Sequence, residues 1–183
     1  LSRTSRDMAS LFSIRGEQRY EVVRKIFEGG MGIVYEAEQH GARNFVKRVA
    51  IKIIRPNFAS QKMFIENFVG EAKLVADLIH TNIVQTYQLG ETNGVAFIAM
   101  EFLDGVTLKH RINGRPIETG ELLTLVIEIA DALDAAHSEG IIHRDVRPEN
   151  LILSSENDAE QTKVVSVQES EAYVEQSYRE RLY

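Results

Sequence analysis

Two features in the first third of the chain could bind a phosphate group. The run from Ile26 to Tyr35 reads Ile-Phe-Glu-Gly-Gly-Met-Gly-Ile-Val-Tyr, and its glycines let backbone amides approach phosphate oxygens. Lys52 lies in the apolar run Val-Ala-Ile-Lys-Ile-Ile, where a buried ammonium needs an anionic partner such as phosphate or the Glu71 carboxylate. Each feature also has an ordinary interpretation, namely a tight hairpin and a lysine that extends from an edge strand into water.

A third feature is the run from Ile142 to Asn150, which reads Ile-His-Arg-Asp-Val-Arg-Pro-Glu-Asn. It resembles the catalytic loop of protein kinases, and it follows the first two features in the order that this family shows. The chain therefore resembles bacterial members of the Ser/Thr protein kinase family over roughly Tyr20 to Val165. Further matches are the runs His80-Thr-Asn-Ile-Val84 and Met100-Glu-Phe-Leu-Asp-Gly105, and Arg147 followed by Pro-Glu-Asn.

The resemblance implies that ATP binds between two lobes, with magnesium as its counter-ion. Lys52 would hold the α- and β-phosphates, and Glu71 would align it. Backbone groups of Glu101 and Leu103 would hydrogen-bond the edge of the adenine base. Asp145 would orient the substrate hydroxyl and accept its proton, Arg147 would stand near the γ-phosphate, and Asn150 would bind magnesium. The positions implied to contact the nucleotide are Ile26, Gly29, Gly30, Gly32, Val34, Ala50, Lys52, Met100, Glu101, Leu103 and Ile152.

The chain departs from the family pattern at two places. Phe27 occupies the position of the first glycine in the glycine-rich loop. Ser166-Val-Gln168 occupies the place of the Asp-Phe-Gly motif, and a hydroxyl does not replace a carboxylate as a ligand of magnesium. The resemblance thus implies an ATP-binding Ser/Thr kinase domain, whereas Ser166 argues against phosphotransfer. The alternative is a pseudokinase that acts as a nucleotide sensor or a protein-binding scaffold.

The elements that would position these residues predict an α+β, protein-kinase-like bilobal fold. Hydrophobic spacing predicts helices at 61–79 and 119–138. The first rests on Phe64, Phe68, Ala72, Val75 and Ile79, and the second on Leu122, Val126, Ile129, Ala130, Leu133 and Ala136. Paired strands joined by a turn at Glu91–Gly94 are predicted between the helices. We expect a leader or linker at 1–18, a strand-rich N-lobe at 19–103, the start of a helical C-lobe at 104–165, and a degenerate activation segment at 166–183. The sequence would stop before the Ala-Pro-Glu motif.

Composition restricts the partners. The formal net charge of −6 argues against a general nucleic-acid surface. No apolar run reaches the length of a membrane span, and the absence of cysteine suits a cytoplasmic protein. The expected partners are ATP, a protein substrate or protein partner, and a second copy of the chain. Self-association would use apolar surface left uncovered on the 119–138 helix.

Overall fold

The computed structural model describes residues 10–15, 18–28, 32–55, 57–58, 61–113, 115–143, 146–156 and 159–164. Within these ranges, Glu71 and a few other residues are described by their backbone alone. The predicted roles of Gly29, Gly30 and Asp145, and of the segment 166–183, fall on residues outside this set.

The first part of the chain forms a six-stranded antiparallel sheet in the order β1-β2-β3-β4-β6-β5. A single helix, α1 (Lys62–Val75), lies in sequence between β4 and β5. The strands are β1 (Phe12–Arg15), β2 (Arg19–Glu28), β3 (Gly32–His40), β4 (Val46–Ile54), β5 (Thr86–Thr92) and β6 (Val95–Glu101).

The second part combines helices with a smaller antiparallel sheet in the order β7-β8-β9. Its strands are β7 (Gly105–Thr107), β8 (Leu151–Glu156) and β9 (Ala159–Val164). Its helices are α2 (Leu108–Ile112) and α3 (Thr119–Ser138). A strand-rich half followed by a helix-led half confirms the predicted α+β class.

From Val49 to Ile54 the strand β4 is largely buried on both faces, which explains why this part of it is apolar apart from Lys52. Ala50 and Ile54 point into one hydrophobic cluster, while Val49 and Ile51 point into a second cluster on the opposite face. Successive side chains of a strand alternate between its faces, so both halves of the run are used. Lys52 alternates with the same set as Ala50 and Ile54, so its charged side chain lies on the face of the sheet that carries the first cluster.

The turn predicted between the paired strands is confirmed. The hairpin that joins β5 to β6 turns at Asn93 and Gly94, whose φ angles are 52° and 75°. Asparagine and glycine tolerate this left-handed conformation better than other residues, so the local sequence determines the turn.

The first predicted helix is too long at its carboxyl end. α1 ends at Val75, and Ile79, which the spacing placed on the apolar face, is 82% exposed. The chain turns after the helix, and Leu78 instead becomes buried in a third cluster in the second half of the molecule. Ile79 therefore fits the helical spacing by coincidence, because its neighbour Leu78 makes the buried contact.

The second predicted helix has the predicted bounds, and Gly140 follows it with a φ of 74°. Its buried face agrees with the predicted one near the carboxyl end, at Ala136, and differs from it near the amino end. Leu125, Ala132 and Ala136 are buried, whereas the side chains at the predicted face positions Leu122 and Val126 are 47% and 54% exposed. We refer to the exposed apolar residues Leu122, Leu123, Val126 and Ile127 as the α3 band.

The strand β1 was not expected, because its residues fall within the predicted leader. Residues Phe12–Arg15 pair with β2, and Ile14 is buried at 2% exposure in the second cluster. A four-residue strand with one inward side chain leaves almost no periodicity in the sequence.

Candidate functional site

Six of the predicted nucleotide positions meet in one buried apolar cluster. They come from strands of both sheets and from the segment that connects the two sheets. The residues are Ile26, Val34, Ala50, Met100, Leu103 and Ile152. Ala50 and Ile152 have no exposed surface. Apolar side chains gathered from two parts of a fold suit contact with a planar aromatic ring.

Lys52 lies at the edge of this cluster and is 2% exposed. On β4 it stands opposite Val34 of β3 and Ile98 of β6. Its Nζ lies 5.6 Å from the ring centre of Phe68 on α1, within the range of a cation–π contact. Phe68 entered the sequence interpretation only as a core residue. Glu71 follows Phe68 by three residues on α1. Because only the backbone of Glu71 is described, its pairing with Lys52 remains a prediction.

Gly32 lies against the lysine strand. It pairs with Ile54, and a Cβ added to it would lie 3.1 Å from the Ile53 carbonyl and 3.3 Å from Lys52 side-chain atoms. These distances leave little room for a side chain. The family resemblance implied that Gly32 contacts phosphate. Close packing against β4 is a second reason for glycine at this position.

The carboxylate of Glu101 is engaged inside the protein at the end of β6. Lys163 Nζ lies 2.8 Å from its Oε1 and 3.2 Å from its Oε2, and the Gln85 backbone N–H donates to Oε2 over 3.1 Å. The sequence interpretation gave Glu101 a backbone role alone and gave Lys163 none. The sequence did contain an indication that Lys163 is buried, because this lysine adjoins the apolar pair Val164-Val165, much as Lys52 interrupts an apolar run.

The predicted catalytic loop is described on both sides of Asp145. Arg147 is exposed, and Asn150 is fully buried at the end of a 3-10 turn, Pro148–Asn150, that leads into β8. Glu149 forms an ion pair of 2.9 Å with Lys109 of α2. Hydrogen bonding from Lys109, assisted by backbone hydrogen bonding, holds the pKa of the Glu149 carboxyl below its ordinary value of 4.5.

The residues present fit a nucleotide better than they fit magnesium. The apolar cluster and the buried ammonium match a base and a phosphate. In the described ranges, the predicted magnesium ligands are represented by Asn150, whose amide carries no charge. Magnesium is usually bound through carboxylates, and the sequence has Ser166 where the family has one.

Among the helices in the described ranges, none combines the length and apolar character needed to cross a membrane.

Comparison with known proteins identifies the family. Residues 20–173 match the protein kinase domain. The chain belongs to the protein kinase family.

The relatives include bacterial serine/threonine kinases. The chain is 42% identical over 138 residues to a probable serine/threonine-protein kinase PknB of Lactococcus lactis, covering 75% of this chain and 22% of that protein. It is 39% identical over 136 residues to the serine/threonine-protein kinase PrkC of Bacillus subtilis, covering 74% and 20%. The chain thus spans about a fifth of the length of these relatives.

A solved structure shows the same fold. The kinase domain of Mycobacterium tuberculosis PknI superposes with a TM-score of 0.65 at 31% identity, covering 80% of this chain and 58% of that domain. The predicted resemblance and the predicted bilobal kinase-like fold are confirmed.

Proposed function

We propose that this chain binds ATP in the cleft between its two lobes. The base would contact the apolar cluster, the backbone of Glu101 and Leu103 would bind its edge, and Lys52 would bind the phosphates. The observation that carries the proposal is the burial of Lys52 beside that cluster. A buried ammonium beside an apolar cluster is placed to contact phosphate oxygens when a nucleotide base occupies that cluster.

The same proposal includes weak or absent phosphotransfer. Bound ATP would supply the γ-phosphoryl group, and a bound metal ion would neutralise its charge. Asp145 would accept the proton of a substrate hydroxyl, and Arg147 would stand near the γ-phosphate. The metal site would keep Asn150 and lack the carboxylate replaced by Ser166, so its charge would be insufficient to hold magnesium tightly. The domain would therefore act as a nucleotide-responsive pseudokinase or scaffold.

Thermal stabilisation tests nucleotide binding. ATP at a hundred times its dissociation constant should stabilise the folded chain by about 2.7 kcal/mol, and this should hold with magnesium or with EDTA. Lys52→Met should lose most of the shift. Lys62→Met removes a lysine whose side chain is 88% exposed and should keep it. If the unsubstituted chain shows no shift in either buffer, ATP binding is refuted.

Restoring the missing carboxylate tests the second half of the proposal. Ser166→Asp should convert magnesium-independent ATP binding into magnesium-assisted binding and should raise autophosphorylation above that of the unsubstituted chain. The variant Ser166→Asn, which has similar size but no charge, serves as the control. Robust autophosphorylation by the unsubstituted chain would show that Ser166 does not prevent catalysis.

A protein substrate or protein partner would bind near the cleft, and a second copy would contact the α3 band. The net charge of −6 argues against nucleic acid as a partner. Use of ATP and the absence of cysteine fit a cytoplasmic location.

A further inference from the structure

The contact between Glu101 and Lys163 joins two parts of the fold that are distant in sequence. Glu101 ends β6, where the chain leaves the six-stranded sheet, and Lys163 lies in β9 of the three-stranded sheet. The side chains are 13% and 8% exposed, so water screens the pair little. Both carboxylate oxygens lie within 3.2 Å of the ammonium, which gives the carboxylate one defined orientation.

Lys163 is itself held in a fixed place. On β9 it pairs with Ile152, a fully buried member of the apolar cluster. The next residue, Val164, donates its N–H to the Asn82 carbonyl over 2.7 Å and accepts from the Val84 N–H over 3.2 Å. β9 is therefore bound on both sides, and the lysine extends from a rigid strand.

Glu101 is held from two directions as a result. Its backbone N–H donates to the Gln85 carbonyl over 2.8 Å, and its carboxylate accepts from the Gln85 N–H and from Lys163. The guanidinium of Arg48 lies over the ring of the following residue, Phe102, at 4.1 Å from the ring centre. The Arg48 side chain is 52% exposed, so the buried lysine is the stronger constraint.

We propose that Lys163 is a positioning residue that holds the Glu101 carboxylate and thereby fixes the backbone at Glu101–Leu103 for recognition of an adenine base. The inference rests on the proposed ATP binding. A base edge is recognised by hydrogen bonds from backbone groups, and such bonds weaken steeply when the groups move. Lys163 would thus determine which purine binds without touching it.

The test compares ATP with ITP, whose base lacks the amino group of adenine. Lys163→Met should reduce the ratio of ATP to ITP affinity by about tenfold, while tripolyphosphate, which has no base, should bind as before. Lys163→Arg keeps the charge and should restore most of the ratio. Lys62→Met is the matched control, and it should leave the ratio unchanged. Calorimetric titration at a temperature where every variant is folded gives the three affinities.

Removing one member of a buried ion pair leaves the other charge uncompensated, which destabilises the fold. The double variant Lys163→Met/Glu101→Gln removes both charges and keeps an acceptor for the Gln85 N–H. It should recover stability relative to Lys163→Met and still show the reduced ratio. If Lys163 acted through stability alone, the double variant would recover both the stability and the ATP to ITP affinity ratio.

The outcomes separate the two proposals. If the unsubstituted chain binds none of the nucleotides, both proposals are overturned. If it binds ATP, and both Lys163→Met and the double variant keep its ATP to ITP ratio, the positioning role is refuted and ATP binding stands.

Discussion

Two lysines of this chain, Lys52 and Lys163, are almost entirely buried, with 2% and 7% of the residue surface exposed. Lysine is rarely buried unless its ammonium is paired. Lys163 has the Glu101 carboxylate, and Lys52 lies against the Phe68 ring. At the scale of single residues, the two lysines thus show where the protein holds positive charge in a buried environment.

Glu149 and Lys109 form a charged pair that lies close to the surface and should respond to pH. The pKa of Glu149 is lowered in the folded protein, so the pair stabilises the fold above the unfolded pKa of about 4.5. That contribution is lost as the pH falls through the folded pKa. Glu149→Gln should therefore lower the melting temperature slightly at neutral pH, and the difference should close in acid.

Melting temperatures from neutral pH to below pH 4.5 check this expectation. Lys109→Met should give the same pH dependence, because it removes the other partner. A difference between Glu149→Gln and the unsubstituted chain that stays constant with pH would show that the pair does not cause it.

At the scale of elements, the start of β7 requires glycine for reasons of space. A Cβ on Gly105 would lie 2.1 Å from the Leu153 carbonyl oxygen of β8, a distance that real contacts do not reach. Gly105→Ala should therefore force β7 and β8 apart and destabilise the fold by about 1–3 kcal/mol. The free energy of unfolding from denaturant titration measures the effect.

The same substitution within α1 provides a control of opposite sign. Gly70 lies inside the helix, and a Cβ there would meet nothing within 4 Å. Gly70→Ala should stabilise the fold by about 0.5–1 kcal/mol, because alanine favours the helix. Equal effects from the two substitutions would contradict the steric explanation for Gly105.

Sequence patterns predicted the elements better than the ends and faces of those elements. The bounds of α3 and the turn at Asn93–Gly94 follow from local spacing and local conformational preference. The end of α1 and the buried face of α3 do not, because Leu78 and Ala132 are buried by residues distant in sequence. The pairing of Glu101 with Lys163 is distant in the same way, and each residue gives no local sign of the other.

The candidate site shows the same division. The motifs named six residues of the apolar cluster, because the family resemblance assigns them one by one. They did not predict that Phe68 of α1 would lie beside Lys52, since helical spacing indicates burial without naming the contact.

At the scale of the whole molecule, the α3 band is an exposed apolar surface on an otherwise polar helix face. Its members are 47% to 66% exposed. Contiguous apolar surface on a helix favours association. The 183-residue chain should therefore self-associate with increasing concentration, as sedimentation velocity would detect.

Two substitutions in the band test this. Leu123→Glu combined with Ile127→Glu should keep the chain monomeric without lowering its stability, because both side chains are exposed. Thr124→Glu adds a charge at an exposed position between them and should leave association unchanged. Association that persists in the double variant would locate the contact elsewhere.

The way β9 is held has a consequence for how such a chain can change over evolutionary time. β9 pairs with β8 along its length, and Thr162, Lys163 and Val164 add contacts to other parts of the fold, among them the Asn82 amide that donates to the Thr162 carbonyl over 2.9 Å. Each of these residues precedes position 166. A lineage could exchange the carboxylate there for serine without losing any of these contacts. Selection for a folded domain and selection for phosphotransfer therefore act on different positions, and the second can be relaxed while the first is maintained.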